Sequence, residues 1–382
     1  MTSNSNKKAR AKYITVFATF LAFMGIGVVD PLLPTIAKSI GANSWQIEML
    51  FTAYIFTMAI MMIPSGIIST KLGNKKMMVI GLGIVTVFSF LCSVSSGINE
   101  LSIFRAGWGL GNAFFFATAM VLLISFSDEP ISAIGMYEAA IGLGMAGGPL
   151  LGGILGNYSW RLPFMATCLF IFIAFLLVTF LVYEPENKKE RNVAGISDLI
   201  KLIKLKRFLK VAIGAMCYYY GFFVILAYTP LVLKIPTIVL GLVFCGWGLM
   251  LAYGSAILSH TLEKKYEVSK ILPYSLIIFI ILMLGLFFID NLYVRIAIVI
   301  ISGLVSGLNN ALFTTYAMAS SPYGRDITSG AYNFVRWLGA AIAPILSGII
   351  SGLCNSSTPF IIASIIIFLG LISIKIKVKD VA

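Results

Sequence analysis

Charge is what this sequence has least of. Only 11% of its 382 residues are Asp, Glu, Lys or Arg, where a soluble globular protein carries about 25%. So few polar side chains cannot cover a water-facing surface. Histidine is nearly missing. The single one, His260, stands at the end of an apolar stretch beside Glu263, Lys264 and Lys265. It reads as a loop-edge residue, and with scattered acids it makes no catalytic cluster. The five cysteines, Cys92, Cys168, Cys217, Cys245 and Cys354, all fall in apolar segments and form no CxxC pair. They read as small core residues rather than disulfides or zinc ligands. No GxxxxGK[ST] occurs, which excludes a phosphate-binding loop for ATP. The basic start runs into a full apolar span without a small-residue cleavage site, so no cleavable signal is expected. No cofactor and no metal is expected. The net charge of +13 comes without a soluble basic domain that could hold nucleic acid, and it is read as membrane topology.

Apolar residues are what is there. They make up 59% of the chain, and the mean hydropathy is +0.97. They come in blocks of roughly 20, the length that crosses a hydrocarbon core as a helix. Twelve spans are predicted, at 13–35, 46–68, 77–97, 100–124, 131–155, 162–183, 208–234, 238–259, 270–289, 291–319, 326–352 and 357–376. With the N-terminus in the cytoplasm, 22 Lys and Arg fall on the cytoplasmic side and 4 on the other. That bias fixes an orientation and an even number of spans. One cytoplasmic loop departs from it: Asp128 and Glu129 stand there with no base. The expectation is an all-α, multi-pass protein of a bacterial cell membrane with both termini cytoplasmic. It divides into an N-terminal segment 1–12, a six-helix bundle 13–183, a linker 184–207, a second bundle 208–376 and a tail 377–382. In the linker Ile196, Leu199, Ile200 and Ile203 recur at helical spacing among Lys201, Lys204, Lys206 and Arg207. This pattern predicts a basic amphipathic helix on the inner membrane surface.

The chain repeats itself. Gly135, Tyr137, Gly144, Pro149 and Gly153 return 195 residues later as Gly330, Tyr332, Gly339, Pro344 and Gly348. Gly109, Asn112 and Phe115 return 198 residues later as Gly307, Asn310 and Phe313. Asp30-Pro31-Leu32 faces Thr229-Pro230-Leu231 at a shift of 199. Six spans in each copy make the repeats parallel, related by a pseudo-two-fold axis along the membrane normal with a central site between them. The segment Gly135 to Gly153 is the densest in glycine. Gly144, Gly148, Gly152 and Gly153 let another backbone approach closely, and Pro149, with Pro344 in the second copy, bends its helix. These residues predict a smooth seam on which one helix moves against another.

Charges inside spans cost about 2.5–3.5 kcal/mol each on insertion scales. Asp30, Arg105, Glu138 and Arg336 lie inside, with Glu48 close to an outer boundary. Asp30 and Arg105 both fall in the outer third of their spans, where an ion pair and a proton site are alternative readings. A carboxylate deprived of water favours its protonated form, and a nearby guanidinium favours the ionised one. Glu138 is a second candidate proton site, and Arg336 either a substrate contact or its counter-charge. Neutral polar and aromatic residues complete the inventory. Asn112, Phe115, Tyr137, Tyr228, Asn310 and Asn333, with Arg336, are the expected cavity lining, suited to loosely specified apolar ligands.

Gly144-Met-Ala-Gly-Gly148-Pro149-Leu-Leu-Gly152-Gly153 resembles the span-five motif of the twelve-span drug:proton antiporters of the major facilitator superfamily. Arg105-Ala-Gly-Trp-Gly109-Leu-Gly111-Asn-Ala resembles the span-four motif, whose arginine the resemblance ties to proton coupling. Gly66-Ile-Ile-Ser-Thr-Lys71-Leu-Gly73-Asn-Lys75-Lys76 resembles the gating loop between spans two and three, with Thr70 where the family has an acid and Asn74 where it has an arginine. Gly25 to Pro34 resembles the span-one motif. The resemblance covers nearly the whole chain. It implies a monomeric, proton-coupled exporter of small lipophilic or cationic compounds, with Asp30, Arg105 and Glu138 in proton coupling and Gly66, Lys71, Gly73 and Lys75 in the gating loop. A specific metabolite or siderophore transporter of the same fold is the alternative, and a membrane-embedded enzyme or receptor is disfavoured.

Overall fold

An apolar segment in lipid has no water to satisfy its amides, so it closes its hydrogen bonds within itself as a helix. A computed structural model describes residues 2–185, 201–323 and 325–375. Among them helices are the regular structure, and no strand occurs. Twelve are long and apolar enough to cross a membrane: α1 (Asn6–Ile40), α2 (Trp45–Leu72), α3 (Asn74–Val94), α4 (Ile98–Ser125), α5 (Ser132–Gly156), α6 (Leu162–Leu181), α7 (Lys206–Leu233), α8 (Thr237–Glu263), α9 (Val268–Phe288), α10 (Leu292–Ala319), α11 (Thr328–Leu353) and α12 (Thr358–Lys375). Large apolar side chains face outward along them, among them Phe180 at 77% exposure, Phe288 at 72% and Ile281 at 60%. A water-soluble chain would not carry so much apolar surface; a multi-pass membrane protein must.

The two halves pack alike. In the first, α1 lies against α5 and α6, α2 against α4, and α3 against α4 and α6. In the second, α7 lies against α11 and α12, α8 against α10, and α9 against α10 and α12. The halves meet along two further pairs, α5 with α8 and α2 with α11. The repeat turns α5 into α11 and α8 into α2, so one pair is the image of the other. This is the two-fold arrangement that the sequence repeat predicts.

Helix ends follow local chemistry. Gly41, at φ 71°, closes α1, and Gly73, at φ 90°, closes α2; both are angles that glycine adopts without strain. Asn43 and Gln46 open α2 with a reciprocal cap: Gln46 N–H donates to Asn43 Oδ1 at 3.1 Å and Asn43 N–H to Gln46 Oε1 at 3.0 Å. Two irregular turns fall where the repeat places proline. In α1 the helix stops at Gly27 and resumes through a 3₁₀ turn at Asp30–Leu32. In α7 a π turn at Val224–Tyr228 precedes Thr229 and Pro230. A second π turn interrupts α8 at Gly254–Leu258.

Several expected bounds shift. The first helix begins at Thr2 rather than after residue 12. The α8 span runs to Glu263, which puts His260 in a final helical turn and not in a loop. The break near Asp290 falls between Phe288 and Leu292, where Asn291 Oδ1 accepts from Tyr293 and Val294 N–H and starts the next helix. Most of the amphipathic helix expected in the linker, Ile196, Leu199 and Ile200 included, lies outside the described residues, as does the tail 377–382. Residues 201–204 are helical, and Leu202 is fully buried.

The loop bearing Asp128 and Glu129 finds its base in the first helix. Lys8 Nζ lies 2.5 Å from Asp128 Oδ1, and this hydrogen bond holds the Asp128 carboxyl below the ordinary carboxylate range. The face of the bundle that carries this pair is called basal below, and the opposite face distal.

Candidate functional site

The glycine-rich segment of α5 sorts its residues onto two faces. Gly144, Gly148 and Gly152, four residues apart, face α1. A Cβ on Gly144 would meet the Phe20 carbonyl at 2.6 Å, one on Gly148 the Met24 carbonyl, and one on Gly152 the Val28 carbonyl. Gly142 and Gly153 face α8, opposite Ala252 and Gly241, and Pro149 presents its carbonyl to Gly241. One face therefore builds the first half and the other forms the contact between halves. In the second copy Gly339 lies on the Met216 backbone of α7, as Gly144 does on α1. Near Pro344 the tie is to the other half: Thr52 Oγ1 of α2 donates to the Ala341 carbonyl of α11 at 3.1 Å.

Between these seams lies a small polar cavity lined by Phe116, Met120, Tyr137, Thr314, Asn333 and Arg336 among others. A second space, lined by Met62, Gly66, Ser69 and Gly330, shares Ser329 and Asn333 with it and continues toward the basal end. Each has room for little more than water. A drug-sized ligand needs about 300–1,000 Å³, so the halves must part to admit one. A roomier apolar groove of about 560 Å³, at Thr86, Leu155, Cys168 and Phe172, opens on the outer surface of the bundle, where lipid acyl chains suit it better than a polar-centred substrate.

Two buried arginines mark the polar centre. Arg336 of α11 packs its guanidinium over Tyr219 at 4.7 Å, Tyr332 at 5.0 Å and Trp337 at 5.9 Å. Arg105 of α4 packs over Tyr54 at 4.3 Å and Trp108 at 4.9 Å. Aromatic faces attract a cation within about 6 Å, most strongly where water is excluded. Each arginine has one carboxylate in its field. Glu138 of α5 is 2% exposed, with Arg336 as the charge acting on it across the halves. Asp30 is fully buried, with Arg105 as the charge acting on it. Neither pair closes. Both Asp30 oxygens, all three Arg105 nitrogens, Glu138 Oε1 and Arg336 Nε lack a hydrogen-bond partner. Of the two alternative readings for Asp30 and Arg105, the closed ion pair is not formed: Asp30 sits in the 3₁₀ turn of α1, and Arg105 is held on the rings of Tyr54 and Trp108.

Of the expected cavity residues, Tyr137, Asn333 and Arg336 come together. The others lie elsewhere in this conformation. Asn112 Nδ2 donates to Tyr54 Oη inside the first half. Its repeat partner Asn310 accepts from Tyr218 Oη at 3.2 Å in the second. Phe115 is fully buried, and Tyr228 Oη donates to the Ser356 carbonyl at 2.7 Å near the distal face. In the loop expected to gate, Gly66 lines the basal space, Lys71 is exposed and Lys75 half-buried. Glu184, just past α6, reaches this loop. Its carboxylate accepts from Asn74 N–H at 2.9 Å and Lys75 N–H at 2.6 Å, at the start of α3. A side chain at Gly73 would lie 3.1 Å from that carboxylate.

The family model described as Major Facilitator Superfamily matches residues 15–344. The chain belongs to this superfamily. It is 38% identical over 376 residues to the multidrug efflux protein YfmO of Bacillus subtilis (strain 168), covering 98% of this chain and 94% of that one. It is 27% identical over 212 residues to the quinolone resistance protein NorA of Staphylococcus aureus (strain MRSA252), covering 55% of each. In fold it is similar to a bacterial homolog of the human lysosomal transporter Spinster in an inward-facing, unoccupied conformation. The TM-score there is 0.78 at 14% identity, with 96% of each chain covered. As a member of the major facilitator superfamily the chain is a transporter of small molecules rather than an enzyme.

Three features of this major facilitator transporter escape sequence reasoning. Glu184, from 110 residues away, supplies a carboxylate to a loop that carries Thr70 in place of an acid. Gly241 and Gly248 of α8 receive the α5 backbone, but in the sequence nothing sets them apart from Gly246, which faces Ile300 of α10 instead. Glu48 shows in the sequence as a charge near a span end, yet its complete burial does not.

Proposed function

We propose that this chain is a proton-driven exporter of small lipophilic and cationic compounds that works by alternating access. The observation that carries the reading is the pair Glu138 and Arg336. They come from opposite halves, both are buried, and they have no bond between them; Arg336 lines the central cavity, and Glu138 lies just behind it, next in the chain to the lining residue Tyr137. An ionised Glu138 offers a negative partner to an entering cation, and a protonated one withdraws it. The proton and the compound then exclude each other, which is what exchange requires. Asp30 with Arg105 is the second carboxylate available for a proton. Inward movement of one charge is worth about 2.3 kcal/mol per 100 mV of membrane potential.

In this reading the basal face is cytoplasmic and the protein sits as a monomer in a bacterial cell membrane. Bundles 13–183 and 208–376 rock along the α5–α8 and α2–α11 contacts, joined by the linker 184–207. The likeness to a multidrug efflux protein over 98% of the chain supports export of this class of compound. Arg336, with an unpartnered Nε at the cavity, favours a second reading, a transporter of anionic metabolites.

The test is proton release from inside-out vesicles. A pH gradient is built and followed with a fluorescent dye while lipophilic cations and neutral drugs are added. Wild type is expected to dissipate the gradient with at least one compound, and Glu138→Gln or Asp30→Asn to abolish the response. A well-folded protein that responds to none of them, and instead to organic anions, refutes the drug reading in favour of the second.

A further inference from the structure

Glu48 enters neither proton pair. It lies in the distal part of α2, where the two halves meet. Its side chain is fully buried, and neither carboxylate oxygen has a hydrogen-bond partner. From the second half, α11 packs directly on it: the Cβ position of Gly348 is 3.4 Å from Glu48 Cγ. The π turn of α7 brings Tyr228 into its field. The charged groups on the elements packed around it act elsewhere. Arg105 on α4 serves Tyr54, Cys92 and Asp30, and Arg336 on α11 serves Tyr219, Tyr332, Glu138 and Tyr137. Lys38, at the distal end of α1, and Lys234, at the distal end of α7, are exposed. No cation among the described residues acts on Glu48.

A buried, unpaired carboxylate ion is expensive by several kcal/mol, and such a group takes up a proton instead. Glu48 has this environment only while α2, α7 and α11 are closed over it. Parting the halves at the distal face would return it to water, where the ion is comfortable. We infer that Glu48 is a gate proton site: protonated it seals the distal face, and loss of the proton to the outer solution opens it. The proton enters from the outer water when the face closes and returns there when it reopens. It is therefore not among the protons carried across. The word "outer" rests on the orientation proposed above; the coupling between protonation and closure does not.

The test reads the distal opening by electron spin resonance distances. One label is placed on Cys354 and one on Tyr158→Cys, both exposed and in opposite halves, with the other four cysteines changed to alanine. Raising the pH should shift the wild-type population from the short to the long distance, by up to tenfold in ratio per pH unit within the titration window. Glu48→Gln should stay short at every pH, while Asp30→Asn and Glu138→Gln keep the shift. Glu48→Met, apolar and of similar length, is the second variant should glutamine disturb the fold. The infrared carbonyl band of a protonated acid, present in wild type and lost in either variant, reads the proton directly. A Glu48→Gln protein that opens with pH like wild type, or a wild type without that band at position 48, overturns the inference. Vesicles that show no export while the distance shift persists refute the efflux reading and leave this one standing.

Discussion

Gly147 and Gly148 are neighbours in sequence and indistinguishable by composition, yet alanine should be tolerated at one and not at the other. At Gly148 a new Cβ meets the Met24 carbonyl and lies 2.9 Å from both Gly27 C and Val28 N. These are backbone atoms of α1 and have no rotamer to change. Contacts are optimal near 3.5 Å or beyond, so α5 and α1 would have to separate by about 1 Å along a seam built from Gly144, Gly148 and Gly152. Overpacking of this kind costs about 1–3 kcal/mol. At Gly147 the nearest atom is the tip of Phe20, 3.6 Å away, an ordinary contact. There alanine gains up to about 1 kcal/mol of helix propensity. Thermal midpoints from fluorescence-detected gel filtration, with vesicle transport alongside, check the pair. Gly148→Ala should melt below wild type and Gly147→Ala at or above it. Equal tolerance at both positions would refute the assignment of α5 faces.

Glu184→Ala leaves Asn74 and Lys75 N–H without their charged acceptor, a loss of about 1.5–3 kcal/mol; amide exchange across residues 66–76 should accelerate several-fold, and Glu184→Gln should restore part of the protection. The Lys8–Asp128 contact depends on an ionised Asp128. Because Lys8 holds that carboxyl below its ordinary range, the contact is intact at neutral pH and is lost only as the pH falls through the lowered value. Lys8→Asp should release the first helix from the α4–α5 loop and the added Asp128→Lys should re-dock it, read by spin-label mobility at residue 10. Arg336→Lys keeps the charge but gives up the planar stack on Tyr219 and Tyr332. With such contacts worth about 2 kcal/mol when desolvated, substrate-driven proton flux should fall roughly thirtyfold.

The parts legible in the sequence are those carried by local pattern. Apolar blocks give the spans, basic loops give their alternation, and glycine spacing gives the α5 seam. Tyr137, Asn333 and Arg336 are found because a polar residue in mid-span has few other uses. What stays hidden depends on partners far away in the chain. Asn112 and Asn310 look like cavity residues until Tyr54 and Tyr218 are seen beside them. The gating loop seems to lack its acid until Glu184 folds back onto Asn74. The dual role of the α5 glycines is invisible because one sequence period serves two helix faces, and only the neighbouring helices say which residue belongs to which. The π turns at Val224–Tyr228 and Gly254–Leu258 leave no compositional mark at all.

The contact between halves at α5 and α8 sets backbone against backbone: Gly153 against Gly241, Pro149 O against Gly241, Ala146 against Gly248. Interlocked side chains resist sliding because each knob must climb out of its hole before it can enter the next. Glycine has no knob, so this surface offers little friction and no preferred stopping points. Under the alternating access proposed above, the time spent in each conformation is then set at this contact by the buried charges and not by packing. Turnover along such a bearing should respond steeply to pH and only weakly to changes in side-chain bulk elsewhere on the interface.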